Sequence, residues 1–250
     1  MSNKKQTRQQ QLPQEGPVPA ADLPGLETLN NLSRAGNFNR WMYETIAPHC
    51  QGRVLEVGSG IGNLSAHFLR EGHAIMLSDL RGDYCGKLSA NFGHFSNLLG
   101  IGQINLAGSE FQSRHHLLLG TFDTVVALNV IEHIEDDLEA LRNCRSLLRR
   151  GGRLIVLVPA FQWLYNGMDL QLQHHCRYTA SSLQQLFSTA DLRVKKVRYF
   201  NALGIPGWFI SGRIQRNRLP PPCQLALFDA MVPFARLLDC CFSRLLGLSV

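Results

Sequence analysis

No Cys-x-x-Cys pair occurs among the seven cysteines, at positions 50, 85, 144, 176, 223, 240 and 241. An odd number without paired spacing argues against a disulfide framework and for a reducing compartment. No apolar run approaches the roughly 18 residues that a membrane-spanning helix needs. The amino-terminal stretch MSNKKQTRQQQLPQ lacks the apolar segment of a secretory signal, so a cytoplasmic protein is expected. Concentrated charge is also missing. The formal net charge is +6, yet Lys and Arg are scattered in short clusters such as Arg149-Arg150 and 193–198. A polynucleotide groove gathers its positive charge on one face, and nucleic acid is therefore not an expected partner.

What is present is ordinary globular composition, 45% apolar and 18% charged over 250 residues, enough for one full core. Residues 1–25 are polar and proline-rich and are expected to form a disordered tail. The chain is organised around Arg53-Val-Leu-Glu-Val-Gly-Ser-Gly-Ile-Gly-Asn-Leu64. Val54, Leu55, Glu56 and Val57 suit a buried parallel strand. Gly58, Ser59, Gly60 and Gly62 form a turn that lets a ligand approach the backbone, and a helix follows over 63–70. Dinucleotide enzymes usually want a small residue where Asn63 stands, so that the helix packs over a pyrophosphate. Glu56, just ahead of the glycines, repels a pyrophosphate and suits a ligand with an ammonium group.

A second apolar run, 74–77, ends in Ser78-Asp79. A carboxylate at the tip of the second strand, about 20 residues beyond the first glycine, is placed to grip ribose hydroxyls. Its structural alternative is a helix N-cap. Residues 83–98 read as a helix and 101–106 as the third strand. The segment TFDTVVALNVIEHIEDD (121–137) gives an apolar strand from Phe122 to Leu128, with Asn129 at its carboxyl end and Glu132-His133 in the loop beyond. Ligands of open parallel sheets bind at such ends. A helix with acids at its start and Arg149-Arg150 at its end should stop at Gly151-Gly152, and 153–158 should be the fifth strand.

The combination of the glycine loop, Asp79 and Asn-Val-Ile-Glu-His resembles the class I S-adenosylmethionine (SAM) dependent methyltransferases over about residues 36–215. The resemblance implies SAM as cofactor and an α/β, Rossmann-like, doubly wound, mostly parallel sheet as fold. In that family an Asp with a small neighbour meets the adenine amino group; Asn105-Leu106 stand there in this chain, and an amide oxygen can still accept from that group. Asn129 is assigned to the cofactor and His133 to the reacting end or to a helix-capping role. A helix ahead of the first strand covers the cofactor in many members. The helical pattern over 26–46 is a candidate, with Asn37, Asn39 and Arg40 as residues able to face the site. The implied organisation is a SAM-binding domain over 26–200 and a helical extension over 201–250. The last strand should be shortened or absent, since the chain stops at Leu248-Ser249-Val250.

Residues 161–179 form a long segment beyond the fifth strand, where loops usually serve a site. It is similar to a type 12 bacterial subgroup carrying D-x-x-x-G-H-x-R-R-Y-T. His174, Arg177 and Tyr178 match; Gln173 replaces the glycine, His175 a tyrosine and Cys176 the first arginine, with one residue inserted after Asp169. Methyl transfer needs an aligned acceptor and removal of its proton. His174, His133 and Asp169 are the candidate bases, and Trp163, Tyr165, Arg177 and Tyr178 the candidate acceptor contacts. His174 and Arg177 have a loop-fastening alternative. The adjacent residues His174-His175-Cys176 do not read as a metal site, and no metal is expected. Residues 192–200 alternate as a sixth strand, and two amphipathic helices should follow, separated by Pro220, Pro221 and Pro222.

The expected activity is methyl transfer to an oxygen, nitrogen or carbon atom of a small-molecule or lipid-linked acceptor, with peripheral membrane contact through 203–250 as a further expectation. A non-catalytic SAM-binding scaffold and a nicotinamide-dependent oxidoreductase are the alternatives. No Tyr-x-x-x-Lys set supports the latter.

Overall fold

A computed structural model describes residues 23–108 and 110–250. Most of the expected 1–25 tail lies outside the described residues, and Leu23 already opens helix α1 (Leu23–Ser33). The expected single helix over 26–46 is in fact two, α1 and α2 (Gly36–Ile46). The chain breaks at Arg34-Ala35, where Asn39 Nδ2 donates to the Leu32 carbonyl at 2.8 Å.

The central sheet has five parallel strands in the order β3-β2-β1-β4-β5. They are β1 (Val54–Val57), β2 (Ile75–Asp79), β3 (Leu98–Gln103), β4 (Phe122–Leu128) and β5 (Leu148–Leu157). β2 lies on one side of β1 and β4 on the other, so the strand order reverses beside β1 and a crevice opens beyond the carboxyl ends there. Every residue of β1 is buried, because both faces are covered. Side-chain alternation sends Leu55 and Val57 into one core, with Val125, Ala127 and Leu141. It sends Val54 into the other, with Trp41, Phe68 and Leu77. Glu56 therefore points to the Val54 side, toward α3 (Ser65–Arg70).

Four expectations are corrected. α4 (Gly82–Phe92) ends early, and β3 runs over Leu98–Gln103 rather than 101–106, which leaves Asn105-Leu106 beyond it. After the short helix α5 (Phe111–Arg114), helix α6 (Asp137–Leu147) stops before Arg149-Arg150. Those arginines belong to β5, because Leu148 pairs with Phe122 before a register shift brings Arg153 opposite Thr124. Arg149 pairs with the buried Asp123, whose other oxygen accepts from Arg53 N at 2.7 Å. Finally, no regular strand forms over 192–200. Among the described residues the partner there is the chain end 248–250, which contributes bridges from Ser249 to Pro159 and Phe200. Val158 and Val250 exchange two backbone hydrogen bonds of 2.9 Å, so the last strand is present in shortened form.

The remaining helices are α7 (Gly167–Gln171), α8 (Ala180–Thr189), α9 (Gly204–Phe209), continued by a π turn at Ile210–Ile214, and α10 (Pro222–Phe242). α10 is tied to the sheet edge by Asp239, whose carboxylate accepts from Asn201 N at 2.6 Å and Ala202 N at 2.8 Å. Asp229 on the same helix accepts from Phe38 N at 2.8 Å. The 201–250 segment is thus stitched to both the sheet and α2.

Gly58 has φ +72°, and a Cβ there would overlap the Val130 side chain. Gly58→Ala is expected to lower the unfolding free energy by about 1–3 kcal/mol. Adding Val130→Ala should recover the steric part, leaving the backbone strain. Urea denaturation of the two variants measures both effects.

Candidate active site

The crevice is lined by the ends of β1, β2 and β4. Glu56 at the end of β1 is 5% exposed. Its carboxylate accepts from the Ser65 hydroxyl on α3 and from Ser59 Oγ at 3.2 Å. Burial pushes its pKa up to about 7 against these two hydrogen bonds. One strand over, buried Asp79 accepts from Gly60 N at 2.8 Å and from Arg81 N at 2.9 Å. Burial raises its pKa too, although both backbone donors oppose the rise. Both hydroxyls meet Glu56 Oε2, which leaves Oε1 for a ligand donor, and each Asp79 oxygen keeps a second lone pair. Gly62 has φ +93°, and a Cβ there would overlap Phe92. The loop therefore holds three glycines in left-handed backbone with Ser59 buried between them. A cationic, hydroxyl-bearing ligand fits this chemistry: two anionic groups flank a stretch of approachable backbone.

The cover over the loop comes from α1 rather than from the residues expected on α2. Leu29 Cδ1 lies 3.0 Å from where a Gly60 Cβ would stand, and Asn63 Nδ2 donates to the Leu29 carbonyl at 2.9 Å. Asn37 bonds Asp229, Asn39 bonds Leu32 and Arg40 pairs with Glu44, so none of the three faces the crevice. Asn105 Oδ1 accepts from Ala107 N at 2.9 Å, closing its own turn. Leu106 is packed in the core with Phe111 and Ile131.

Beyond β4, Asn129 is exposed with φ +53°, and its N–H reaches the Leu157 carbonyl at 2.8 Å. The turn Ile131–His133 then carries Glu132 inward and leaves His133 exposed. Sequence reasoning gave Glu132 no role of its own, although it lies inside the 129–133 span expected to face the cofactor. Its side chain is wholly buried, neither oxygen has a hydrogen-bond partner among the described residues, and burial pushes its pKa up to about 8.

The 161–179 segment brings His174 to the same place, its ring 4.8 Å from that of His133. His174 Nδ1 lies 2.9 Å from Asp169 Oδ1, and Arg177 Nε donates to the same oxygen at 2.8 Å. Asp169 Oδ2 accepts from Asn166 N at 2.9 Å, completing a capping box on α7. Burial opposes the charge on Asp169, but the His174 hydrogen bond and the Arg177 guanidinium outweigh it and hold its pKa below the usual value. An ionised carboxylate only accepts, so Nδ1 carries a proton, and in the neutral form of the ring the lone pair lies on Nε2. Asp169, expected among the bases, is fully buried with both oxygens engaged; it orients His174.

The acceptor contacts divide in the same way. Arg177 is buried, donates to the Ala160 carbonyl at 3.0 Å and stacks 4.7 Å from the Trp208 ring centre. Tyr178 bonds Asp137 Oδ2 at 2.9 Å. Both fasten the segment rather than line an opening. Tyr165 is half-buried, its hydroxyl donating to the His174 carbonyl at 2.7 Å, and Trp163 is 55% exposed beside Phe209. An open cleft of about 540 Å³ lies behind α7, lined by Gly167, Leu170, Gln171, Gly212, Arg216 and Arg218, among others.

A profile of the methyltransferase domain family matches residues 26–197. The chain belongs to that family. Its sheet, with the crevice beside β1, has the class I, Rossmann-like form that the glycine loop implied, and the family's cofactor is SAM. The nicotinamide-dependent reading falls with this assignment. Among solved structures, a chain from the complex of the Haloferax volcanii Trm112 methyltransferase activator with a methyltransferase aligns with TM-score 0.55. The identity is 14%, and the alignment covers 71% of this chain and 79% of that one. YcgJ from Bacillus subtilis aligns with TM-score 0.51 at 18% identity, over 79% and 82% of the two chains. These likenesses concern the fold alone. A ubiquinone biosynthesis O-methyltransferase of Xanthomonas euvesicatoria is 30% identical over 104 residues, 42% of this chain and 41% of the relative. A highly reducing polyketide synthase of Pyrenophora dematioidea is 28% identical over 138 residues, 47% of this chain and 5% of that protein. The match thus spans less than half of either curated relative.

Gln173, which stands where the similar subgroup has glycine, adopts φ +61°, the left-handed backbone that glycine takes without strain. Gln173→Gly is expected to leave His174 in place and to change stability by between zero and about +1 kcal/mol. Thermal unfolding checks this; a marked fall in Tm would mean that the Gln side chain itself is needed.

Proposed function

We propose that the chain moves the methyl group of SAM to an oxygen atom of a small or lipid-linked acceptor held beside His174. The observation that carries this reading is the pair of buried carboxylates, Glu56 and Asp79, on neighbouring strands at either side of the glycine loop. Glu56 would hold the ammonium group of the amino-acid tail and Asp79 the ribose hydroxyls. When bound, SAM supplies an electrophilic methyl group on a sulfonium. The protein's own contribution is alignment and proton management. Val130 packs against Gly58, which joins the end of β4 to the cofactor loop. His174, fixed through Nδ1 by Asp169, offers Nε2 toward the acceptor, and Asp169 with Arg177 keeps that ring from turning. The name of the Xanthomonas relative supports an oxygen acceptor.

A lipid-linked acceptor is favoured by a specific surface. Leu227, Met231, Phe234 and Leu237 are exposed on α10, and Ile210 and Ile214 on the π turn, and the nearby stretch of chain also exposes Arg213, Arg216 and Arg218. Among the described residues no helix is long and apolar enough to cross a membrane, so any contact of this surface would be peripheral.

Calorimetry with S-adenosylhomocysteine (SAH) tests the cofactor site. Asp79→Ala should weaken binding by about 1–3 kcal/mol through lost charge-assisted hydrogen bonds. The pKa of Glu56 is raised to about 7 in the free protein, and an ammonium partner favours its ionised form. Affinity should therefore be full above about pH 8 and fall as pH drops below 7, by up to about tenfold per unit, with a proton released on binding. Unchanged affinity in Asp79→Ala together with a flat pH profile would remove both residues from the site. Transfer of labelled methyl into a metabolite and lipid extract tests the reaction. His174→Ala should lose it by on the order of 10²–10⁴-fold while keeping SAH affinity; no transfer by the wild type would favour the scaffold reading. The membrane surface predicts flotation with anionic vesicles and little with neutral ones, abolished by Phe234→Glu with Leu237→Glu.

A further inference from the structure

Glu132 is 0% exposed, and neither carboxylate oxygen has a hydrogen-bond partner among the described residues. Such a group is costly to bury unless a cation or a donor meets it. Two imidazoles stand near it: one ligand atom each from Glu132, His133 and His174 lie within 4.8 Å of one another. Glu132 and His133 are sequence neighbours, but the tight turn Ile131–His133 lets both contribute. The His175 N–H bonds the Glu132 carbonyl at 2.8 Å, locking this turn to the segment that carries His174.

The surroundings are arranged as they are behind metal-binding histidines. Asp169 accepts the Nδ1–H hydrogen bond of His174 at 2.9 Å, which fixes the direction of Nε2 and puts the lone pair of the neutral ring there. Arg177 and the Asn166 N–H hold Asp169 in turn, at 2.8 and 2.9 Å. We propose that Glu132, His133 and His174 bind a divalent transition cation, with coordination positions left open toward the crevice. Two nitrogens and one carboxylate suit zinc, manganese or cobalt; magnesium and calcium prefer oxygen alone.

The site stands on its own geometry, and only the ion's role rests on the methyltransferase reading. At an open position the ion takes the acceptor's hydroxyl oxygen and makes it more acidic. The proton leaves to solvent, the oxygen's electron pair forms the new C–O bond, and the electrons of the breaking C–S bond return to sulfur. His174 then acts on the acceptor through the ion rather than as the base itself.

The test is titration of chelator-treated, dialysed protein with Co²⁺, read by visible d–d absorption and by metal content per chain. One ion per chain is expected, displaced by Zn²⁺ but not by excess Mg²⁺. Glu132→Gln, His133→Ala and His174→Ala should each weaken it at least about tenfold, and Asp169→Asn by about 10–100-fold through the lost second support. His133 is exposed and Gln is isosteric with Glu, so circular dichroism should be unchanged in those two variants. Absence of cobalt absorption in the wild type overturns the proposal, as does binding that persists undiminished in Glu132→Gln and His133→Ala, which would point to the cysteines. SAH calorimetry on the same samples separates the two failures: SAH binding without cobalt binding sinks the metal site alone, and the converse sinks the methyltransferase reading alone.

Discussion

A carboxylate inside a parallel sheet must find charge or hydrogen bonds to replace the water it has lost, and Glu56 sets this problem at the centre of the fold. β1 is covered on both faces, so its one charged residue cannot turn outward. The chain answers with hydroxyls from Ser59 and Ser65, which lie on the loop and helix that follow the strand. That answer is partial, since the pKa of Glu56 stays near 7. The incompleteness is useful to a binding site. A cationic ligand supplies what the hydroxyls do not, and the same burial that makes Glu56 costly when empty strengthens its attraction to that ligand. Asp79 repeats the arrangement one strand away, with backbone N–H groups as donors.

At the other end of the crevice the logic is reversed. Asp169 is buried but fully paired, by Arg177, His174 and the start of α7. It is the anchor on which the 161–179 segment is hung. Arg177 reaches from there to the Ala160 carbonyl and the Trp208 ring, so one guanidinium joins the stretch after β5, the segment and α9. Three residues near this end hold left-handed backbone without being glycine: Asn129, Phe161 and Gln173. Each costs conformational energy. They sit at the end of β4, the end of β5 and just before His174, where regular structure gives way to the candidate active site.

The helices outside the sheet supply coverage. α1 places Leu29 over Gly60, and α10 runs back along α2, fixed by Asp229 and Asp239. The outer face of α10 stays apolar and exposed. Its inner face buries Val232, Ala235 and Asp239.

Much of this was legible in the chain. The strand, glycine and helix series, Asp79 and the end of β4 follow from local pattern, because a buried parallel strand reads as an apolar run and a tight turn needs glycine. The limits of β3, β5 and α6 did not, since backbone pairing with a neighbour decides where a strand begins: Leu148 leaves the helix because Phe122 is there to receive it. The sixth strand failed for the same reason, its partner being only three residues long. Roles within 161–179 were the least legible. Composition marked Asp169, His174, Arg177 and Tyr178 as chemistry-bearing, but only packing could divide them into groups that reach the crevice and groups that hold it in shape. The linear pattern determined the fold, the cofactor end and the set of polar groups available. Tertiary structure decided which of those groups is free, and it alone brought Glu132 and His133 to His174, because long-range convergence depends on how separate loops pack and leaves no spacing in the sequence.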